Sequence, residues 1–186
     1  MTQKVWFVST GSKFDEVHNI LAGHGVTVVQ VKKRLTELQV EDVEILLKDK
    51  VLHAFELTGR PVFVEHTGLY LDALNGLPGG LTRLFWERLE EQRFCKLFGG
   101  SRVMAKTAVV YCDTRTIHPI ITGEAAGTIA VAPAGDGGFA WDRVFIPDEL
   151  TTPPGRTYAE LGPEKDKISM RRKAFDAFAA FLKGCG

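Results

Sequence analysis

The chain has 186 residues, enough for one domain with a sizeable core, and its 23 Lys and Arg residues balance its 23 Asp and Glu residues. A formal net charge of zero argues against non-specific binding to nucleic acid or to an anionic membrane, because such binding requires clustered positive charge. No apolar run reaches the roughly 20 residues that span a bilayer. The three cysteines have no metal-ligand spacing, so we expect reduced thiols in a cytoplasmic protein.

Apolar periodicity predicts an α/β fold that opens with a strand, a helix and a second strand. The elements expected in chain order are a strand at 4–9, a helix at 13–23, a strand at 26–31, a helix at 41–57, a strand at 62–64, a long loop at 66–80, a helix at 82–98, strands at 102–113 and 117–132, a glycine-rich loop at 134–138 and a helix at 164–183. We expect the two long strands to form a hairpin around 113–116. Because no repeat, linker or low-complexity tract divides the chain, we expect a single domain over 1–186.

A short polar segment, Thr10-Gly11-Ser12-Lys13, stands between the first strand and the first helix. Backbone N–H groups at a helix N-terminus, together with hydroxyl groups and one lysine, are typical of a phosphate site. Ser12 as an ordinary N-cap residue explains the same segment, so both interpretations stay open.

Acidic residues cluster at the start of the second helix, at Glu41, Asp42 and Glu44, and Glu65 ends the third strand. A magnesium ion bound to a triphosphate takes one or two protein carboxylates besides phosphate oxygens and water. Glu44 and Glu65 would form such a pair if the helix start faces the strand end. Acids in a first helical turn also complement the helix dipole; this is our interpretation of Glu41 and Asp42, and it stays open for Glu44.

The segment Phe139-Ala140-Trp141-Asp142 follows the glycine-rich loop. An aromatic pair beside a carboxylate can stack on a base and bind its ring or sugar, although core packing also explains the two aromatic residues. The basic run 165–173 opens the last helix, where it either contacts a phosphate or a base oxygen or forms a solvated face.

Taken in this order, the segments resemble the inosine triphosphate pyrophosphatase family, whose members hydrolyse deaminated purine triphosphates to monophosphate and pyrophosphate. The family's TGNxxK opening is similar to 10–13, and its (D/E)D(S/T)xL…ALxGxPG loop is similar to 65–79. Its FGWDPxF segment is similar to 139–145, and its KNxxSHR segment to 165–171. The resemblance covers nearly the whole chain.

The resemblance implies an α/β fold with an elongated central mixed β-sheet flanked by helices, in two lobes with a nucleotide cleft between them. The family's members are usually homodimers, so we expect a homodimer or, if the chain is a sensor, a hetero-complex with an effector protein. The implied site residues are Phe139, Trp141 and Asp142 for the base and sugar; Lys165 and Arg171 for the base oxygen or the adjacent phosphate; Thr10, Ser12 and Lys13 for the triphosphate; Glu44 and Glu65 for a magnesium ion; Lys13, Glu65 and His66 for catalysis; and Lys48 or Lys50 as the helix lysine.

Three positions depart from the family pattern: Ser12 stands for an asparagine, His66 for the second acid of the paired carboxylates, and Met170 for a histidine. The change at position 66 bears directly on hydrolysis, because phosphoryl transfer relies on a positioned base and on metal charge held by carboxylates. A neutral imidazole could still act as a base, whereas an imidazolium would repel magnesium.

The base-side features depart less from the family than the hydrolytic ones. We therefore expect a protein that binds deaminated purine triphosphates of the ITP, dITP or XTP type as a sensor, with weak or no hydrolysis. Divergent relatives of this kind resemble the sensing subunit paired with an NAD-consuming effector in anti-phage defence. The alternative is an active magnesium-dependent pyrophosphatase that releases monophosphate and pyrophosphate.

Overall fold

The computed structural model of the chain describes residues 3–11, 13–114, 116–138, 140–150 and 155–184. Its strands are β1 (Lys4–Val8), β2 (Thr27–Val31), β3 (Val62–Leu71), β4 (Arg102–Asp113), β5 (Thr116–Ile117), β6 (Ile121–Ile129) and β7 (Phe145–Pro147). Its helices are α1 (Lys13–Gly23), α2 (Val43–Thr58), α3 (Thr82–Phe98), α4 (Tyr158–Leu161), α5 (Lys165–Ile168) and α6 (Met170–Gly184).

The strands form one mixed seven-stranded sheet in the order β2-β1-β3-β4-β6-β7, with β5 paired to β4. Strand β1 is parallel to both β2 and β3, whereas β4–β5 and β6–β7 are antiparallel pairs. The short apolar runs of β1 and β3 are buried, as strands covered on both faces require. The predicted α/β fold with a central mixed sheet flanked by helices is confirmed.

The chain divides into two compact units: unit 1 comprises Met1–His66, Thr107–Gly123 and Arg171–Gly186, and unit 2 comprises Thr67–Lys106 and Glu124–Met170. The core of unit 1 contains Phe7 stacked on Phe63, with ring centroids 4.7 Å apart. The core of unit 2 contains Phe145 packed against Tyr158, also with centroids 4.7 Å apart. The single domain and the cleft between two lobes stay predictions.

Helix ends agree with the sequence where a capping residue defines them. Asp42 caps α2, since its carboxylate accepts hydrogen bonds from the backbone N–H groups of Glu44 and Ile45. Gly59 ends the same helix in the left-handed conformation, with φ of 58°. The predicted helices at 13–23 and 41–57 are confirmed to within two residues; the helix predicted at 82–98 has the predicted bounds but is kinked at Glu90, whose φ of 55° and ψ of 171° are not helical.

The prediction of a loop from 66 onward is wrong for its first six residues, because β3 continues to Leu71. The glycine and proline content of 66–80 indicated a loop, but the backbone of Gly68 packs closely: a Cβ atom there would lie 2.6 Å from the carbonyl oxygen of Gly79. The glycine permits close approach inside a strand.

Two other predicted elements are interrupted. The strand expected at 117–132 consists of β5 and β6, and the break contains Pro119, which lacks a backbone N–H for the ladder. The hairpin itself is confirmed, since Asp113 pairs with Thr116. The helix expected at 164–183 is broken at Ser169, whose ψ of 149° is extended. In the part of the chain that the structure describes, no helix is both long and apolar enough to cross a bilayer.

Candidate functional site

Ionisable side chains from several segments meet inside unit 1. They form what we call the ion cluster: Lys13, Glu16, Glu37, Lys50, Glu65, His66 and Arg171. Of these, sequence reasoning named Lys13, Lys50, Glu65, His66 and Arg171. It missed Glu16 and Glu37.

Glu65 lies at the centre of the ion cluster, and its side chain is only 3% exposed. The ammonium of Lys13 donates a 2.6 Å hydrogen bond to one carboxylate oxygen, Oε1. The guanidinium Nε of Arg171 lies 3.9 Å from the other oxygen, Oε2, and this arginine also donates a 2.6 Å hydrogen bond to Glu16. Both oxygens of Glu65 therefore face a protein cation.

Helix geometry explains why these partners meet. Lys13 and Glu16 lie one turn apart on α1, so their side chains point to the same side of the helix. Arg171 is the second residue of α6, which begins directly after the extended Ser169. The apolar face of α6 anchors this helix in the core of unit 1 through Phe175.

Lys50 joins a second acid to the cluster. Its ammonium donates hydrogen bonds to the carboxylate of Glu37 and, at 2.9 Å, to the backbone oxygen of Glu65. Glu37 lies in the segment between β2 and α2, which has neither apolar periodicity nor a motif. No pattern in the sequence therefore identified it.

The pKa values follow from this packing. Burial alone would raise the pKa of Glu65, but attraction to Lys13, Arg171 and Lys50 outweighs burial and holds that pKa well below its usual value. Burial lowers the pKa of Lys13, against the attraction of Glu65. For Glu37, attraction to Lys50 outweighs the effect of burial, so its pKa is also lowered.

His66 is 8% exposed and lies in the same strand as Glu65. Burial lowers its pKa to about 4, and the nearby positive charge of Lys50 acts in the same direction. At neutral pH the imidazole is therefore uncharged. Among the described residues, its buried Nε2 atom has no hydrogen-bond partner. An orphaned polar atom of this kind suits a site that a ligand or water completes.

Glu44 and Lys48 lie away from this chemistry. Both side chains are more than half exposed, and they pair with each other at 2.6 Å along α2. Their predicted roles as metal ligand and helix lysine stay predictions, while the structure brings Glu37 and Lys50 to Glu65 instead. Thr10 is exposed, and Ser12 lies outside the described residues.

A magnesium ion does not fit the ion cluster as it is arranged. Magnesium binds through oxygen ligands such as carboxylates, yet Lys13 and Arg171 already face the two oxygens of Glu65, and Lys50 binds Glu37. Within the described ranges, no group of three or more His, Cys, Asp or Glu residues could hold a metal ion. Of the two carboxylates expected to bind the metal, Glu65 is bound by Lys13 and flanked by Arg171, and Glu44 is bound by Lys48.

The predicted base-binding residues lie in unit 2. Asp142 accepts a 2.7 Å hydrogen bond from the ammonium of Lys165, and both side chains are buried. The same ammonium lies 5.4 Å from the ring centroid of Tyr158, which stacks on Trp141. Trp141 is 5% exposed and belongs to the core of unit 2, as the core-packing interpretation expected. Phe139 lies outside the described residues.

The loop before Trp141 is held by an arginine that sequence reasoning did not single out. Arg143 donates two hydrogen bonds to the carboxylate of Glu91, at 2.6 and 2.8 Å, and a third to the backbone oxygen of Gly135. Gly138 has a φ of 88°, and a Cβ atom there would lie 2.8 Å from the Cβ of Asp142. The turn that presents Asp142 is therefore tightly packed.

The profile of the Ham1 family matches residues 5–181 of this chain. The chain belongs to the Ham1 family. This member is 40% identical over 169 residues to inosine triphosphate pyrophosphatase 1 of Trypanosoma cruzi, covering 89% of the chain and 84% of that relative. It is 36% identical to the dITP/XTP pyrophosphatase of Methanopyrus kandleri, covering 97% and 96%.

A solved structure supports the fold of this Ham1 family member. The HAM1 protein from Coxiella burnetii has a TM-score of 0.79 at 22% sequence identity, over 98% of this chain and 99% of that one. At this identity the likeness concerns the fold alone. The family match over residues 5–181 and the relatives at 40% and 36% identity confirm the family that the sequence motifs predicted.

Proposed function

We propose that this Ham1 family member binds deaminated purine nucleoside triphosphates, of the ITP, dITP or XTP type, and hydrolyses them slowly or not at all. It acts as a sensor rather than as a housekeeping hydrolase. Relatives named inosine triphosphate and dITP/XTP pyrophosphatases, at 40% and 36% identity, support the ligand class. The observation that carries the weak hydrolysis is the buried, uncharged His66 beside a Glu65 that protein cations already hold.

The ion cluster supports binding of the phosphate chain. Lys13, Lys50 and Arg171 place three cationic side chains around one buried carboxylate. Of the three, Lys13 is the most accessible, with 28% of its side chain exposed. Ammonium and guanidinium groups make strong, charge-assisted hydrogen bonds to phosphate oxygens.

The Asp142–Lys165 pair supports recognition of the base. Inosine and xanthine carry an oxygen at purine position 6, where adenine carries an amino donor. A donor such as the Lys165 ammonium can donate a hydrogen bond to this oxygen. With adenine, the same donor would face the amino donor of the base. Leaving a buried polar group unpaired costs roughly 1–3 kcal/mol, so such a site discriminates strongly against adenine.

Slow hydrolysis follows from position 66. Attack on the phosphate chain needs a group that orients and deprotonates water, together with charge stabilisation. Glu65 has a strongly lowered pKa and two cationic neighbours, so it is a weak base. His66 brings no carboxylate to replace the second acid. Losing one member of a catalytic group commonly lowers the rate by orders of magnitude.

The test compares binding with turnover. Inosine triphosphate is titrated into the protein by calorimetry, and pyrophosphate release is followed on the same preparation. We expect saturable binding and turnover far below about 1 s⁻¹, the ordinary lower range for enzymes. Turnover at or above that rate contradicts the sensor, and the absence of binding contradicts the ligand class. His66→Asp restores the family's acid, and His66→Asn is the matched uncharged control.

An active pyrophosphatase is the second candidate, because the curated relatives carry that name and because an uncharged imidazole can accept a proton. In that case His66 would deprotonate the attacking water, and kcat would rise with pH to a plateau with a midpoint near 4. His66→Asn would then abolish turnover, whereas the sensor predicts that it changes almost nothing.

The partner assignments follow from the sensor proposal. We propose a homodimer or a hetero-complex with an effector protein, in the setting of an NAD-consuming anti-phage response. Affinity capture from the native host, with and without inosine triphosphate, decides between the homodimer and the hetero-complex. The captured proteins are identified by mass spectrometry, and the captured material is tested for NAD consumption. Recovery of the chain alone at the mass of a dimer contradicts the effector.

A further inference from the structure

We propose that this chain binds its purine triphosphate as the metal-free anion, with the cations of the ion cluster in the place that a divalent ion would otherwise take. The inference rests on the proposed function, since it concerns the same ligand. It follows from the misfit between the ion cluster and magnesium.

Each carboxylate of the ion cluster already has a protein counterion. Glu65 is bound by Lys13 at 2.6 Å and flanked by Arg171 at 3.9 Å. Glu16 is bound by Arg171 at 2.6 Å, and Glu37 by Lys50. A divalent ion would have to displace one of these cations from a largely buried carboxylate, and a desolvated charge that loses its partner is costly.

Because Glu65 has two cationic neighbours, one of them can bind the ligand while the other stays beside the carboxylate. Lys13 is the more exposed of the pair, at 28% against 2% for the side chain of Arg171. When the Lys13 ammonium turns to a phosphate oxygen, Arg171 stays beside Glu65. The buried carboxylate is then never left uncompensated, which is the electrostatic task that a bridging metal performs between a carboxylate and a phosphate.

Position 66 sets the charge of the cluster. The three cationic side chains balance three carboxylates, and the imidazole of His66 adds no negative charge in either protonation state. An aspartate at this buried position would add one negative charge beside the incoming polyanion. His66 therefore lowers the need for a metal ion, independently of its effect on hydrolysis.

The experiment measures the dissociation constant of inosine triphosphate by calorimetry in excess EDTA and in excess magnesium. For the natural chain, we expect the affinity in EDTA to be equal to that in magnesium within about threefold, or higher. For His66→Asp we expect an affinity at least about tenfold lower in EDTA than in magnesium, as one added charge near the ligand predicts. His66→Asn alters the ring without adding charge, so its ratio should follow the natural chain.

The outcomes separate the two proposals. Binding of the natural chain only in magnesium overturns the metal-free ligand and leaves the proposed function intact. No binding in either condition overturns the proposed function itself. If His66→Asp does not fold, as judged by its thermal melt, the comparison of EDTA with magnesium on the natural chain still decides. Inorganic tripolyphosphate, titrated in EDTA, should bind more weakly in a Lys13→Met chain than in the natural chain; equal affinities contradict the role of Lys13.

Discussion

The ion cluster of unit 1 and the Asp142–Lys165 pair of unit 2 both hold buried charge, but they hold it differently. In the ion cluster, Glu65 has two cationic neighbours, and Lys13 is partly exposed. In unit 2, one ammonium meets one carboxylate at 2.7 Å among aromatic rings, and both side chains are almost fully buried. A carboxylate with two cationic neighbours can release one of them to a ligand. The Asp142–Lys165 pair, which we call the closed pair, instead fixes the position of its carboxylate.

The largest expected effect on stability comes from a substitution that breaks the closed pair. Lys165→Met leaves the buried carboxylate of Asp142 without its lysine, so we expect a loss of about 3–5 kcal/mol in the free energy of unfolding, measured with urea. Lys13→Met should cost only about 1 kcal/mol, as partly exposed ion pairs do, because Arg171 still faces Glu65.

The double variant Asp142→Asn/Lys165→Met provides the control for this comparison, since it removes both charges. It should lose less stability than the sum of its single variants. Equal losses for Lys13→Met and Lys165→Met would contradict the distinction between a shared and a closed arrangement.

A second prediction sharpens the description of the ion cluster through pH. The folded pKa of His66, about 4, lies below the unfolded value of 6.5, so the unfolded chain binds more protons between these values. Stability contributed by the uncharged ring is complete above pH 6.5 and is lost as the pH falls towards 4. The full loss is about 3 kcal/mol.

Urea unfolding at intervals from pH 7 to pH 4 measures this loss. Other groups titrate in the same range, so the informative quantity is the difference between the natural chain and His66→Asn, which has no titrating ring. A constant difference over this range would show that His66 is not buried uncharged.

A third prediction concerns the part of β3 that lies in unit 2, where close packing rather than charge decides. Gly68→Ala would place its Cβ 2.6 Å from the Gly79 oxygen and 3.1 Å from the hydroxyl of Thr82, which already binds Leu69 and Gly79. We expect a loss of about 1–3 kcal/mol. Gly23→Ala, where a Cβ meets nothing within 4 Å, should change stability by less than about 0.5 kcal/mol.

Elements with local signals were predictable from the sequence. Helix α2 has an aspartate N-cap and a left-handed glycine at its end, and both ends were found within two residues. The glycines and prolines of 66–80 indicated a loop, but glycine occurs both in turns and at close approaches inside strands, as Gly68 does beside Gly79. The extended Ser169 that divides the last helix likewise has no local sequence signal.

The candidate site was predictable only where motifs exist. Lys13, Glu65 and Arg171 were named from motifs, and the structure brings them together. Glu37 was missed, and Glu44 was chosen for the metal instead, because an acid in a loop has no periodicity to mark it. The position of Glu37 depends on Lys50, which lies 13 residues further along the chain.

The smallest expected effect tests the turn that carries the closed pair. Ala140 has a φ of 46°, a left-handed conformation that costs a residue with a Cβ about 1–2 kcal/mol, and the family motif has glycine at this position. Because glycine also makes the unfolded chain more flexible, Ala140→Gly should stabilise the protein by only about 0.5 kcal/mol. Ala134→Gly, in the same loop but without a positive φ, should destabilise it by about the same amount, and both are measured by urea unfolding. If both variants destabilise equally, the turn before Asp142 is not strained.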